Sequence, residues 1–247
     1  RSGARVVLVG RGADKVAASA AAIREEVPGA RLEQLVIDLS DLSSVRAGGE
    51  AAVALGPIDL LVNNAGIMAT PLHRTADGLE SQMATNHFGP FLLTGLLFGQ
   101  LSAAGDARVV TVSSQMHRTA PSAPLDDPRA DGRYLRWPVY GQTKLANLLF
   151  TFELERRCRR AGVAVRALAA HPGLAGTHLA VNGQFGATAH DQSRTRPASI
   201  LDAAVKAVSQ SAASGALPSL MAATADLPGG TYCGPSGPGQ AAGAPRV

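Results

Sequence analysis

Five short apolar runs punctuate the chain: Arg5 to Val9, Leu32 to Ile37, Ile58 to Val62, Arg108 to Ser113 and Val163 to Ala170. Each is largely apolar with little polar alternation, the pattern of a strand buried on both faces of a parallel sheet. Helical patterns separate them. Ala13 to Val27 stops at Pro28-Gly29, and Ser40 to Leu55 opens on two capping candidates, Ser40 and Asp41, and stops at Gly56-Pro57. Asp77 to Ala104 predicts one long helix or two joined ones. Val139 to Ala161 predicts the longest amphipathic helix, with Leu145, Leu148, Leu149, Phe152 and Leu154 as its apolar side. A last helix is expected over Pro197 to Ser214, after a polar loop from Thr177 to Arg196. The Gly- and Pro-rich tail from Leu227 predicts irregular cover with one short strand at Thr231 to Cys233. Alternating strands and helices imply an α/β chain with an open, doubly wound parallel sheet in three layers. Ligands in such sheets bind beyond the carboxyl ends of the strands, so the chemistry is sought there.

Composition narrows the class. The 247 residues are 46% hydrophobic and 17% charged, which suits one core-bearing domain and excludes global disorder. Two cysteines, Cys158 and Cys233, predict free thiols in a reducing compartment and a cytoplasmic location. The net charge of +4 is spread along the chain. Its densest group, Arg156, Arg157, Arg159 and Arg160, precedes Gly162, where it would complement the carboxyl end of a helix dipole. With 4% aromatics and no recognisable nucleic-acid motif, no nucleic-acid partner is expected. No 18-residue apolar run indicates a membrane span. His117, His171, His178 and His190 lack zinc spacing, so no metal is expected.

The strand ends carry the candidates. After the first run come Gly10 and Arg11, and an arginine there can neutralise a ribose 2′-phosphate. After the second, Asp38-Leu39 could accept from an adenine amino group or cap the next helix. The third ends in Asn63-Asn64-Ala65-Gly66, where small residues allow a ligand to approach the backbone. The fourth ends in Ser113-Ser114, and Tyr140 and Lys144 follow at the start of the long helix. Four residues apart, they project from one helical face, and an ammonium beside a phenol stabilises phenolate.

Taken together, Asp38-Leu39, Asn63 to Gly66, Asn86-His87-Phe88-Gly89, Val112-Ser113-Ser114, Tyr140 to Asn147, His171-Pro172-Gly173 with Thr177, and Tyr232 to Gly237 resemble the short-chain dehydrogenase/reductases. The likeness is closest to the branch holding retinol dehydrogenases and light-dependent protochlorophyllide reductases. It implies a Rossmann-like domain and a hydride exchanged between NADP(H), with NAD less favoured, and a small-molecule carbonyl or alcohol, a lipophilic aldehyde, ketone or alcohol. By that resemblance the catalytic set is Asn86, Ser114, Tyr140 and Lys144. Tyr140 is the proton donor and Ser114, rather than Ser113, holds the substrate oxygen. Lys144 holds the ribose and lowers the Tyr140 pKa, while Asn86 anchors a water. The cofactor would meet Arg11, Asp38, Leu39, Asn64, Ala65, Gly66, Tyr140, Lys144, Pro172, Gly173 and Thr177. The family often pairs through helices corresponding to Asn86 to Ala104 and Val139 to Ala161, which leaves a homo-oligomer open.

The departure from the pattern is at the start. The family opens with a strand and a Gly-rich turn that receives the pyrophosphate, and Arg1 to Arg5 resembles instead the end of the helix that follows. The expectation is therefore a single Rossmann-like domain over residues 1–247 that is N-terminally truncated, with the strand between the Arg5 and Ile58 strands absent. The alternative is a noncatalytic or inactive protein of this fold that binds cofactor weakly.

Overall fold

A computed structural model gives the architecture of residues 3–120, 126–174 and 210–247. Strand β1 (Arg5–Gly10) leads through helix α1 (Ala13–Glu26) to β2 (Arg31–Val36), which lies parallel to it with Arg5 opposite Arg31. Helix α2 (Leu42–Val53) crosses to β3 (Leu60–Asn63). Of the two cap candidates, Asp41 takes the role, its carboxylate accepting from the backbone N–H groups of Ser43 and Ser44. Asp38 does not cap α2. Its Oδ1 accepts from the N–H and hydroxyl of Ser40 at 2.9 and 2.6 Å.

The expected helix over Asp77 to Ala104 divides. Residues before Ser81 turn back, with Arg74 bridged to Glu80, and helix begins only at α3 (Ser81–Met83), capped by the Glu80 carboxylate. A π-helical turn, Ala84–Phe88, then leads into α4 (Gly89–Leu96) and α5 (Phe98–Ala103). Strand β4 (Ala107–Val112) is followed by a 3₁₀ turn, Gln115–Thr119, and later by α6 (Arg136–Ala161), which ends on Gly162 in the left-handed conformation at φ 64°. After β5 (Val165–Ala170), the next described helix is α7 (Ala212–Thr224). Residues 197–209 of the expected last helix lie outside the described residues, and α7 runs past the expected end at Ser214. Pro218 reads as a breaker in sequence, yet here it is buried within α7, which packs on β4 and β5. The tail holds two strands rather than one, β6 (Tyr232–Pro235) and β7 (Pro245–Arg246), joined through a turn at Pro238–Gln240.

The strands form two sheets. One is β1-β2, and the other is ordered β3-β4-β5-β6-β7, all parallel except β7. One hydrophobic cluster serves both: Ile37 after β2, Val45 and Ala52 of α2, and Leu93 and Leu97 pack with Leu35, Ile58 and Leu61. Val6 and Val9 of β1 and Leu60 and Val62 of β3 are nonetheless 40–46% exposed. The middle strands β4 and β5 are the best buried, with Val109, Val110, Ala167 and Leu168 fully enclosed. Cys158 and Cys233 are buried free thiols. Among the described residues, no helix is long and apolar enough to cross a membrane.

The orientation of α6 overturns one expectation. Leu149 and Phe152, assigned to its core-facing side, are 51% and 43% exposed, whereas Tyr140, Thr143, Lys144, Asn147, Leu148 and Thr151 are buried. Polar groups tolerate that burial because partners meet them. Thr151 Oγ1 donates to the Asn147 carbonyl, Asn147 Nδ2 donates to the Val112 carbonyl, and Thr143 Oγ1 donates to the Tyr140 carbonyl.

Candidate active site

The buried stripe of α6 runs beneath the carboxyl end of β4, and the two together assemble the candidate site. Tyr140 is 4% exposed and Lys144 likewise 4%. The Lys144 Nζ lies 5.7 Å from the centroid of the Tyr140 ring and donates to the Val112 carbonyl at 3.1 Å. Burial pulls the lysine down to about 8. Ser114, half-buried at the start of the 3₁₀ turn, accepts from the Met116 N–H at 3.2 Å and is hydrogen-bonded to Tyr140. Ser113, by contrast, spends its hydroxyl on the Lys144 carbonyl at 2.8 Å and fastens α6 to β4.

The Tyr140 phenol is pushed up to about 12, by burial first, with the Ser114 hydrogen bond opposing. Burial disfavours the charged phenolate, and the Lys144 ammonium is turned toward the Val112 carbonyl. At neutral pH the phenol therefore holds its proton, as a donor must.

The Asn86 side chain is anchored by the chain itself. Its Oδ1 accepts from the Ile67 N–H at 2.7 Å, and its Nδ2 donates to the Ile67 carbonyl at 2.8 Å and to Thr143 Oγ1 at 3.0 Å. Every polar atom of the amide is engaged by protein, so Asn86 is a clamp between the β3 exit and α6. The π-helical turn that carries it shifts its register relative to a regular helix, a feature often found at functional sites.

The β3 exit reaches the same place. A Cβ built on Gly66 would stand 3.0 Å from Asn86 Oδ1 and 3.6 Å from Lys144 Nζ. Asn64 and Ala65 are exposed, while Asn63 is buried and donates to Thr94 Oγ1 at 3.0 Å. Pro172 and Gly173 follow β5 one residue on, after His171, and Gly173 takes φ +67°. Arg11 is exposed at the carboxyl end of β1, and Asp38 and Leu39 are partly buried beyond β2. Thr177 lies outside the described residues, as do His178 and His190. Among the described residues no cluster of His, Cys, Asp or Glu could hold a metal ion.

Three further groups lie around the site, and their Gln115, Gln240, Glu80 and Gln82 were not singled out by sequence. Gln115 Nε2 and Gln240 Oε1 both lie against the Nε2 of the His171 imidazole, at 3.0 and 3.2 Å. Glu80 and Gln82, both buried, tie the Thr70 segment to Tyr134 ahead of α6, and burial raises the Glu80 carboxyl. Tyr232 stacks near His117 and His171 with ring centroids 5.8 and 5.2 Å away. Gln115, Gln240, Glu80 and Gln82 carry no local motif, because each acts through partners distant in sequence.

The centre can hold a ribose and nicotinamide. A buried ammonium with three N–H groups has one described acceptor, leaving donors for ligand hydroxyls beside an open strand exit. The pyrophosphate end has no comparable cradle among the described residues.

Comparison with known proteins places the chain in a family. Retinol dehydrogenase 12 of Homo sapiens is 40% identical over 178 residues, covering 72% of this chain and 55% of that protein. The chain spans about half the length of the curated relatives it matches. A crystal structure of an uncharacterised protein from Mycobacterium paratuberculosis superposes with a TM-score of 0.70 at 38% identity, covering 98% of this chain and 74% of that one. A gluconate 5-dehydrogenase from Burkholderia cenocepacia, solved with NADP and tartrate, shares the fold alone, with a TM-score of 0.63 at 21% identity over 93% of this chain and 82% of its own. A family model described as short chain dehydrogenase matches residues 1–184, from β1 through the β4 end, Tyr140 and Lys144 to beyond β5, and on that match the chain belongs to the short-chain dehydrogenase family.

Proposed function

We propose that this chain carries the reaction centre of an NADP(H)-dependent oxidoreductase that interconverts a lipophilic carbonyl compound and its alcohol. The observation that carries the reading is the burial of Tyr140 and Lys144 on one face of α6, with Ser114 hydrogen-bonded to the phenol. When bound, a reduced nicotinamide supplies the hydride to the carbonyl carbon and is itself oxidised. The Tyr140 hydroxyl donates its proton to the carbonyl oxygen, whose growing negative charge is met by the Ser114 hydroxyl. Lys144 would hold the ribose hydroxyls with its remaining N–H groups, and Pro172 and Gly173 would border the nicotinamide. In the alcohol-oxidising direction the same groups act in reverse.

Arg11 at the β1 end supports NADP(H) over NAD(H), since a guanidinium pairs with a 2′-phosphate. The name of the human relative supports an apolar alcohol. A cytoplasmic location accords with the free thiols Cys158 and Cys233. The unpaired edges of β1 and β3, with their exposed valines and leucines, support a single domain in which a further parallel strand seats between the two sheets and brings the pyrophosphate site.

The test is Tyr140→Phe in the protein carrying that strand, followed by NADPH consumption against a panel of aldehydes and ketones. Loss of the proton donor should cost about 10²–10⁴-fold in kcat with the NADPH dissociation constant nearly unchanged. Unaltered turnover would sink the mechanism.

A further inference from the structure

His171 is a buried polar group that this chemistry leaves unused. It is 2% exposed and directly follows β5, and its own N–H donates to the Cys233 carbonyl at 2.9 Å. Its Nδ1 accepts from the backbone N–H of Gly173 at 3.2 Å. That bond fixes the tautomer: Nδ1 faces a donor, so the proton of the neutral ring sits on Nε2. Nε2–H then points to Gln240 Oε1 at 3.2 Å, and the Gln115 side-chain nitrogen, 3.0 Å from the same Nε2, packs against the ring without donating to it. The same oxygen accepts from the side-chain amide of Gln115, the residue next to Ser114. There is no slack around the ring, since a Cβ on Gly234 of β6 would come within 2.1 Å of Nε2.

Through one imidazole, then, the turn after β5 is joined to the segment after β4, with the C-terminal turn at Gln240 as the connecting piece. The bond from Gly173 spans two residues, as in an Asx turn, and stabilises a backbone held at φ +67°. Protonation would place a second donor against the Gly173 N–H. Burial pulls the imidazole down to about 4, with His117 and Arg118 adding to the effect and Gln240 opposing, so the neutral ring persists.

We propose that His171 is a positioning residue that locks the Pro172-Gly173 turn to the Ser114 segment, so that nicotinamide and substrate oxygen are presented at a fixed separation. The proposal rests on the functional reading above for what those two segments hold. Neither Gln115, Gln240 nor His171 would touch the reacting atoms, and their effect is on geometry, to which catalytic rates are sensitive.

Isosteric amides separate the two sides of the ring. Asparagine at 171 sets its amide oxygen near the position of Nδ1, and glutamine sets its amide near Nε2. Hydrogen exchange in the cofactor-free chain reads the turn directly. His171→Gln should speed exchange of the Gly173 amide about tenfold, the worth of one hydrogen bond, while His171→Asn restores protection. Gln240→Ala, at a surface turn, leaves folding intact and should speed exchange at Met116, whose N–H is bonded to Ser114 Oγ, with Gly173 unaffected. The NADPH dissociation constant, from nicotinamide fluorescence, should rise about tenfold in His171→Gln and return toward normal in His171→Asn. Unchanged Gly173 exchange in His171→Gln, or unchanged Met116 exchange in Gln240→Ala, overturns the proposal. Faster exchange at Gly173 with unaltered NADPH affinity also overturns it, whereas failure of the functional reading shows separately, as undiminished turnover in Tyr140→Phe.

Discussion

Replacing Lys144 by methionine should make the folded chain more stable, by about 3 kcal/mol at neutral pH. The lysine ammonium is buried, and desolvation brings it from the ordinary 10.5 to about 8. At about 1.4 kcal/mol per pH unit, this depression corresponds to about 3 kcal/mol of unfavourable burial. Below pH 8 the amine is charged in both folded and unfolded chains, and the whole penalty applies. Between pH 8 and 10.5 the folded protein sheds the proton while the unfolded chain keeps it, so the penalty shrinks, and above 10.5 it is gone. Methionine matches the length of the stem and carries no charge. The bond that Nζ makes to the Val112 carbonyl is not left as an orphan acceptor, because Asn147 Nδ2 also donates there at 3.2 Å. The measurement is urea unfolding of both chains by circular dichroism at pH 7, 8, 9 and 10. The expected result is a stability gap in favour of the variant, widest at pH 7 and closing as pH rises. A variant less stable at pH 7, or a gap indifferent to pH, would refute the claim that this lysine is held charged against its solvation. The variant should have lost turnover, which is the reason a destabilising residue is kept.

Three other perturbations follow from the same geometry. Arg11→Ala should weaken NADPH at least tenfold more than NADH, since only the phosphorylated ribose has a charge to lose; equal losses in fluorescence titration would remove Arg11 from the site. Asn86→Ala strands the Ile67 N–H and carbonyl and should cost about 2–3 kcal/mol in thermal unfolding, with a rise in KM for cofactor as the β3 exit loosens. Gly89→Ala would drive a Cβ to 2.3 Å from the Leu39 carbonyl, where α4 lies against the end of β2, and should destabilise by about 1–3 kcal/mol; a neutral melt would mean that α4 can move away from that contact.

The sequence by itself determined the strands and their alternation with helices, because continuous Val, Leu and Ile runs have few places to go except a doubly covered sheet. It also determined the pairing of Tyr140 with Lys144, a consequence of helical geometry at a four-residue spacing, and the position of Ser114 at a strand end. What it could not decide was which side of α6 faces inward. Leu149 and Phe152 outweigh Thr143, Lys144 and Asn147 on any scale of hydrophobicity, yet they are exposed while the polar stripe is buried. That choice depends on partners contributed by distant strands, the Val112 carbonyl and the amide of Asn86, which reverse the cost of burying polar groups. The role of Asn86 as a clamp, the upward displacement of the Tyr140 phenol and the joining of His171 to Gln115 and Gln240 have the same origin. Each is set by contacts between residues 19 to 125 positions apart, and only the folded chain brings those together.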